Sequence, residues 1–253
     1  MSTQFSISLR RSLDNDFNAA ESNSRSFVIN YNSPSSQNTT EESMNPAFKQ
    51  FIEAIPCQKA PGPSTLFTAA DVFFALELMA EKPIGRNKLA RKLEVGEGTV
   101  RTIINRLRNS SLIETSKEGC NLTSKGLAVW KHFEELFPKR VELGETELTN
   151  AKYNYAFLVK DSGHKVKSGI EQRDAAIVAG AKRAAIMVFK QGHLTIESVS
   201  NRLEQQCPVA ADQILTAVSP ADNDVVVLVG ADTMGKAKHG AFAASWTLIE
   251  RDE

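Results

Sequence analysis

An α+β fold is predicted for this 253-residue chain from three observations. Apolar residues recur with a helical period through residues 64–140. From residue 141 onward, the apolar runs 184–189 and 225–229 alternate with helical patterns, which predicts a domain of mixed helices and strands. Residues 1–45 are rich in Ser, Asn, Thr and Gln. They offer too little apolar surface to offset the entropy of ordering, so we expect a disordered tail.

Residues 46–63 are expected to form a short helix and a linker. Phe48, Phe51, Ile52 and Ile55 fall at i, i+3, i+4 and i+7, as on one face of a helix, and the run Pro61-Gly62-Pro63 follows it. The first folded domain is predicted over residues 64–140.

Its first helix is predicted to begin after Thr68 and to run to about Ala80. Thr68 is a suitable N-cap, and Asp71 holds the third position of a capping box. The buried stripe of this helix is expected to be Val72, Phe73, Leu76 and Met79.

Two helices follow, Arg86–Leu93 and Glu97–Asn109, joined by the short turn Glu94-Val95-Gly96. Leu112–Thr115 and Cys120–Thr123 flank a polar turn and predict a β-hairpin. Thr123 then caps a helix that extends to about Phe137. Two helices on a tight turn followed by a hairpin and a helix are typical of a winged helix-turn-helix. The residues expected to close its core from the last helix are Leu127, Trp130, Phe133, Leu136 and Phe137.

The helix over residues 97–109 carries side chains suited to reading DNA. Arg101, Asn105 and Arg108 lie at i, i+4 and i+7, opposite an apolar face. Arginine pairs bidentately with guanine and asparagine with adenine. Thr99 and Thr102, near the helix N-terminus, suit phosphate oxygens or a thymine methyl group.

The surrounding charge supports this interpretation. Residues 82–140 carry 13 basic and 6 acidic side chains, a net charge of +7, although the whole chain has 30 of each. A local basic field attracts polyanions. Arg86 and Lys117, at the predicted ends of a helix and of the wing, are expected to contact the DNA backbone. The alternative is a solvated helix face or a protein-binding winged helix, but the coincidence of turn, apolar spacing, wing and charge favours DNA.

The motif resembles the winged domains of prokaryotic transcription regulators. It is similar to the DNA-binding domain of the central glycolytic gene regulator family, through the run from Gly85 to Leu107, the S-L-I-E that follows and L-T-S-K-G at 122–126. With G-I-E-Q-R-D-A-A-I-V-A-G-A at 169–181, the chain also resembles an archaeal group that pairs this domain with a C-terminal domain of unknown function. The resemblance implies DNA contacts at Thr99, Arg101, Thr102, Asn105 and Arg106. One departure is Glu94, where such turns usually place glycine.

Residues 141–253 are predicted to form an α/β sandwich that binds an effector or dimerises. The last predicted helix, over about 233–249, is rich in Gly and Ala and is expected to lie close to the sheet. The other predicted elements are a hairpin of 153–159 with 164–167, a helix over 170–181, strands at 184–189, 194–196 and 225–229, and helices over 198–206 and 212–218.

Two groups in this domain are candidates for ligand binding. The first is Glu171, Arg173 and Asp174; Asp174 is expected on a buried apolar stripe with Ile170, Ile177, Val178 and Ala181. The alternative, which is favoured, is a structural pairing of Asp174 with Arg173 or Lys182 or with the helix dipole. The second group is Gly230, Asp232 and Lys236, in a run that is one residue short of a phosphate loop. Ala237 replaces the hydroxyl that would hold magnesium, so a nucleotide hydrolase is not expected.

Further classes are excluded on composition. Cys57, Cys120 and Cys207 are widely spaced and lack neighbouring histidines, so neither disulfides nor a zinc site are expected. The N-terminus lacks the apolar core of a signal peptide, and no run approaches the length of a membrane span, which predicts a cytoplasmic protein without membrane contact.

The expected function is a DNA-binding transcription regulator, without cofactor or metal and not an enzyme. Its expected partners are double-stranded DNA, a small-molecule effector and a second copy of the chain. The rivals are a chromatin or basal-transcription adaptor, and an enzyme that carries a winged-helix targeting domain.

Overall fold

The computed structural model describes residues 37–57, 67–197 and 199–249, with side chains from residue 47 onward. It confirms the α+β class. The helices of the described residues are α1 (Gln37–Cys57), α2 (Ala69–Glu81), α3 (Arg86–Leu93), α4 (Glu97–Asn109), α5 (Ser124–Leu136), α6 (Ile170–Val178), α7 (Leu203–Gln206), α8 (Pro208–Val218) and α9 (Met234–Trp246).

The strands form two sheets in the described part of the chain. The smaller is an antiparallel pair, β1 (Ile113–Thr115) and β2 (Cys120–Leu122). The larger has the order β3-β4-β7-β5-β6, with antiparallel neighbours throughout. Its strands are β3 (Lys139–Leu143), β4 (Tyr153–Val159), β5 (Arg183–Lys190), β6 (His193–Thr195) and β7 (Val225–Ala231).

Helix α1 is longer than predicted. It begins at Gln37, so the expectation of a disordered tail is wrong for residues 37–45. Ile52 and Ile55 are buried, so packing stabilises the C-terminal turns of α1. Extension of a helix from turns that are already formed is favourable. The rest of the predicted tail and the linker at 58–63 lie outside the described residues.

The winged half matches its prediction closely. Asp71 Oδ2 accepts hydrogen bonds from Thr68 N and Thr68 Oγ1 at 2.7 and 3.1 Å, as expected for the capping box. Thr123 Oγ1 accepts from Gly126 N at 3.1 Å and starts α5. Leu127 is the exception, because it is exposed and does not close the core.

The C-terminal half is a sheet covered on both faces. Along β4, Phe157 and Val159 join the core that contains α9, while Ala156 and Leu158 join the core on the opposite face, with α8. The predicted hairpin between 153–159 and 164–167 is wrong: β4 pairs with β3 and β7, and Gly163–Lys165 is a short 3-10 helix. Of the helix expected over 198–206, only α7 forms within the described residues.

Helix α6 faces the opposite way from its prediction. Ile170, Ile177 and Val178 are exposed, whereas Gln172 and Ala176 are buried. The reason lies in α9, which approaches closely: a Cβ built on Gly240 would lie 3.0 Å from the Ala181 Cβ and 3.3 Å from the Ala176 carbonyl oxygen. Small residues fit against α9 at this point, so Ala176 lies inward while Ile170, Ile177 and Val178 turn outward. Gln172 is also buried, and its side-chain amide donates to Thr247 Oγ1 at 2.9 Å, just beyond α9.

The two halves share one hydrophobic core, and the predicted domain boundary at residue 140 falls within β3. Phe73 of α2 is fully buried at its centre. Its ring lies 5.7 Å from that of Phe157 in β4 and 5.0 Å from that of Phe242 in α9. Phe133 of α5 likewise lies 5.8 Å from Trp246. Neither half therefore has a complete core alone.

We predict that Phe73→Ala lowers the free energy of unfolding by about 3–5 kcal/mol, the usual cost of emptying a buried aromatic site. Because the core is shared, both halves should lose stability together. Urea unfolding is followed by the fluorescence of Trp130 in one half and Trp246 in the other, each as the single tryptophan of a Trp→Phe variant.

The two midpoints should coincide, and Phe73→Ala should lower both. Leu127→Ala, at an exposed position, is the control and should change the unfolding free energy by less than about 0.5 kcal/mol. Two separate transitions would contradict the shared core.

Candidate nucleic-acid interface

The helix-turn-helix is built from α3, α4 and the turn between them. Leu89, Ala90 and Leu93 bury one side of α3. Glu94 ends that helix in the left-handed conformation, with φ 56° and ψ 33°. The Val95 N–H then donates to the Ala90 carbonyl at 3.2 Å. The glycine-like backbone that such turns require is therefore present, although the residue is glutamate.

Helix α4 has one face in the core and one in solvent. Its apolar residues at 100, 103, 104 and 107 are all buried. Arg101, Asn105 and Arg108 are exposed on the other side. Arg108 Nη2 and Asn105 Oδ1 are 3.4 Å apart, which is a weak contact that leaves both side chains accessible. Thr99 and Thr102 are half-buried, and Thr102 Oγ1 donates to the Gly98 carbonyl at 3.1 Å.

Arg106 does not lie on this exposed face, and the expectation that it contacts DNA is corrected. Its side chain is buried, and its guanidinium donates to the carbonyl oxygens of Ile55 and Pro56, at 3.1 Å for Ile55. It also lies 5.6 Å from the Phe67 ring centroid. The charge thus joins α4 to the end of α1, because a buried guanidinium needs such acceptors.

The wing stands beside α4. Strands β1 and β2 pair with Ile113 opposite Leu122, and Ile84 forms an isolated antiparallel bridge to Cys120 of β2. Lys117, in the loop between the strands, is exposed, as is Arg86 in the first turn of α3.

Three further exposed basic residues lie on α3, namely Lys88, Arg91 and Lys92. Their charge is part of the net +7 of residues 82–140, but they are not among the predicted DNA contacts. The signal that identifies them is the helical period of α3, which buries Leu89, Ala90 and Leu93 and leaves the basic residues between them exposed.

The ligand candidates of the C-terminal half are not gathered into one pocket. Glu171, Arg173 and Asp174 are exposed on α6, and Arg173 pairs with Asp174 at 3.2 Å, as the structural alternative expected. Of the stripe expected to be buried around Asp174, Ile170, Ile177 and Val178 face solvent, and Ala181, beyond the end of α6, is buried. A surface groove in the described part of the chain lies elsewhere and is lined by Val199, Ser200, Asn201, Arg202, Gln205 and Gln206.

The second candidate group does not form a phosphate loop. Gly230 lies inside β7, opposite Asn154 and Arg183, and its carbonyl accepts from Lys182 N at 2.9 Å. The backbone of Gly230 therefore forms part of the sheet. Asp232 is exposed and pairs with Lys182 at 2.5 Å. Lys236 is exposed in the first turn of α9.

The described residues hold neither a cluster of metal ligands nor a membrane-spanning helix. Among them, no group of three or more His, Cys, Asp or Glu side chains is placed to hold a metal ion. No helix in the described ranges combines the length and apolarity needed to cross a membrane.

The helix-turn-helix is in direct contact with α9. The Glu94 carboxylate lies over Gly235, so that a Cβ built there would be 2.5 Å from Glu94 Oε2. This places a negative charge at the N-terminus of α9, where the helix dipole stabilises it. Close by, His239 Nε2 lies 3.1 Å from Asp71 Oδ1, and His239 Nδ1 lies 2.8 Å from the Gly235 carbonyl oxygen.

Both partners of His239 are acceptors, so the protonated imidazolium satisfies both contacts. Burial lowers the pKa of His239, but the Asp71 carboxylate, the Gly235 carbonyl and the Glu94 charge outweigh it, and the pKa is raised above 6.5. Burial raises the pKa of Asp71, but the hydrogen bonds from His239 and Thr68 outweigh it, and the net pKa is lowered below 3.8. Asp71 thus connects α9 to the cap of α2.

Two protein families match parts of the chain. The "PH0730-like, N-terminal domain" matches residues 68–128, and a "Domain of unknown function (DUF4443)" matches residues 150–248. The matches fall in the two halves, in agreement with the expected pairing of a winged domain with a domain of unknown function. None of the curated proteins matches the chain.

Solved structures also resemble the chain. The hypothetical protein PH0730 from Pyrococcus horikoshii OT3 is 29% identical, with a TM-score of 0.60, over 72% of this chain and 92% of that one. The Mycobacterium tuberculosis MarR family protein Rv2887 is 18% identical, with a TM-score of 0.26, over 38% of this chain and 69% of that one. The first likeness extends across both halves and supports the arrangement described above.

The contact between His239 and Asp71 predicts a pH-dependent stability. Because the folded pKa of His239 is raised, its contribution is full below pH 6.5 and is lost as the pH rises through the folded pKa. Because the folded pKa of Asp71 is lowered, its contribution is present above pH 3.8 and is lost as the pH falls through the folded value. The contact is therefore strongest in mildly acidic solution.

We expect His239→Gln to lower the free energy of unfolding by up to about 2 kcal/mol near pH 5.5, the scale of a charged hydrogen bond, and by less near pH 9. Urea unfolding across this pH range measures the difference. His164→Gln, at an exposed histidine, is the matched control. An equal loss at both pH values would show that the imidazolium is not the form that stabilises the contact.

Proposed function

We propose that this protein is a DNA-binding transcription regulator that reads its operator with α4 in the major groove. The observation that carries the proposal is the outward face of α4, where Arg101, Asn105 and Arg108 are exposed while the opposite face is held in the core. These are the side chains that pair with guanine and adenine edges.

The surroundings of α4 support the same use. The wing holds Lys117 on one side, and α3 holds Arg86 at its start, both exposed. These lysine and arginine side chains suit backbone phosphates, which position a protein without specifying sequence. Gly85 and Gly96, the N-caps of α3 and α4, have open space beside them, so a phosphate can approach the helix N-termini.

In this proposal the C-terminal half tunes DNA binding, through a small ligand or through dimerisation, and is not an enzyme. The contacts of Glu94 with Gly235 and of His239 with Asp71 support the coupling, because they join α9 to the turn and to α2. The position of Gly230 inside a strand argues against nucleotide chemistry there. A homodimer would place two α4 helices about 34 Å apart and would favour a palindromic operator.

The proposal is tested with the full chain. Duplexes are selected from a random pool, and binding is measured by fluorescence anisotropy at increasing salt. Because bound phosphates release counterions, affinity should fall steeply with salt. Absence of any selected sequence, or binding that does not respond to salt, would contradict the proposal.

We predict that Arg101→Ala and Asn105→Ala each weaken binding to the selected site by about 1–3 kcal/mol and relax the preference at one base pair. Lys117→Ala should instead weaken binding to all sequences alike and reduce the salt slope, because it removes a phosphate contact. Arg202→Ala, at an exposed arginine far along the chain, is the matched control and should change neither. If all four variants behaved alike, α4 would not be the reading helix.

A further inference from the structure

Helix α6 presents an apolar stripe to solvent. Ile170 is 51% exposed, Ile177 43% and Val178 90%, whereas Gln172 and Ala176 on the other side are buried. An apolar stripe that the chain leaves open on a regular helix marks a surface for association.

The charges within this stripe are weakly paired in the single chain. Arg173 and Asp174 are adjacent in sequence and contact each other at 3.2–3.3 Å, with their side chains 54% and 62% exposed. Neighbouring residues on a helix do not face each other, so this pair is poorly oriented. Both side chains are free to turn toward charges on another molecule.

We propose that this stripe is the contact between two copies of the chain, with the two α6 helices antiparallel across a two-fold axis. This contact is the interface of the homodimer named in the proposed function. Its effect on DNA binding rests on that proposed function. An axis between positions 173 and 174 pairs Ile170 with Ile177 of the partner subunit. The same axis pairs Arg173 with Asp174 of the partner subunit, and each pairing occurs twice.

Charge complementarity identifies the occupant as a second copy. An isologous interface must be complementary to itself, residue i meeting j and j meeting i. The order apolar, basic, acidic, apolar at 170, 173, 174 and 177 has this property when it is reversed against itself. Binding of an unrelated partner would not require this self-complementary order. Helix α6 is short, so the contact is below the size of a standard interface, and we expect a dissociation constant on the order of micromolar.

The first test is sedimentation velocity of the full chain at concentrations up to about 200 μM. A concentration-dependent dimer is expected, and Val178→Lys should leave a monomer. Val209→Lys is the matched control, since Val209 is also a helical valine, 76% exposed, and this variant should dimerise like the wild type. Circular dichroism of each variant establishes that it is folded.

The second test reverses the charges. Arg173→Asp and Asp174→Arg should each weaken the dimer at least tenfold, because like charges then meet across the axis. The two variants mixed together should form a heterodimer, and the double reversal R173D/D174R should restore the homodimer. A structural role of the pair within one chain predicts no recovery on mixing.

The outcomes separate this inference from the proposed function. A wild-type chain that stays monomeric, or a dimer that survives Val178→Lys and both reversals, overturns the α6 contact. A dimer that behaves as expected but binds no DNA overturns the proposed function and leaves the contact in place. A monomeric Val178→Lys that still binds half of a selected palindrome supports both.

Discussion

The packing of aromatic rings around Phe73 is the constraint on which the rest of the structure depends. Phe73 contacts Trp130 and Phe133 of α5 on one side, and Phe157 of β4 and Phe242 of α9 on the other. Its neighbours therefore come from the winged half and from the sheet half. Edge-to-face and tilted pairs of this kind fix geometry as well as burying area. The winged half cannot reorient against the sheet without opening this cluster, so the two halves behave as one body.

Helix α1 extends this coupling along the molecule. Lys49 is buried, and its ammonium donates to the carbonyl oxygens of Trp246 and Ile249 at 2.7 Å, at the C-terminal end of α9, where the helix dipole favours a cation. At the C-terminal end of α1, the carbonyl oxygens of Ile55 and Pro56 accept hydrogen bonds from Arg106 of α4. The helix that is proposed to read DNA is thus tied through α1 to the helix that packs on the sheet.

Local patterns predicted the winged half well. The period of 3.6 in α4, the capping box at Thr68 and the hairpin turn each depend on residues close in sequence, and each is present in the structure. For the candidate site, the same patterns placed Arg101, Asn105 and Arg108 on the exposed face.

The failures arise from contacts between distant residues. Arginine is a residue type typical of DNA contacts, but the environment of Arg106 is set by carbonyl groups about fifty positions away in sequence. The choice of which face of α6 is buried follows from the close approach of Gly240 on α9, which lies more than sixty residues further along the chain. Strand β3 has no strong alternation and forms because β4 offers it an edge. Patterns of neighbouring residues cannot identify contact partners that are this distant in sequence.

Glu94 shows how such a distant contact can explain a local exception. A non-glycine residue in the left-handed region costs of order 1–3 kcal/mol and persists only where the surroundings hold it. Here the glutamate carboxylate lies against Gly235 at the start of α9 and raises the pKa of the nearby His239. The electrostatic gain at the helix N-terminus offsets the strain, a contact that glycine cannot make. The turn before α4 is therefore positioned by α9, on which α6 also packs.

The distance between α4 and the outer surface of α6 is consequently a property of one rigid body. In a dimer joined through α6, this rigidity would set the separation of the two reading helices, and with it the spacing of the operator half-sites, without any hinge between the halves.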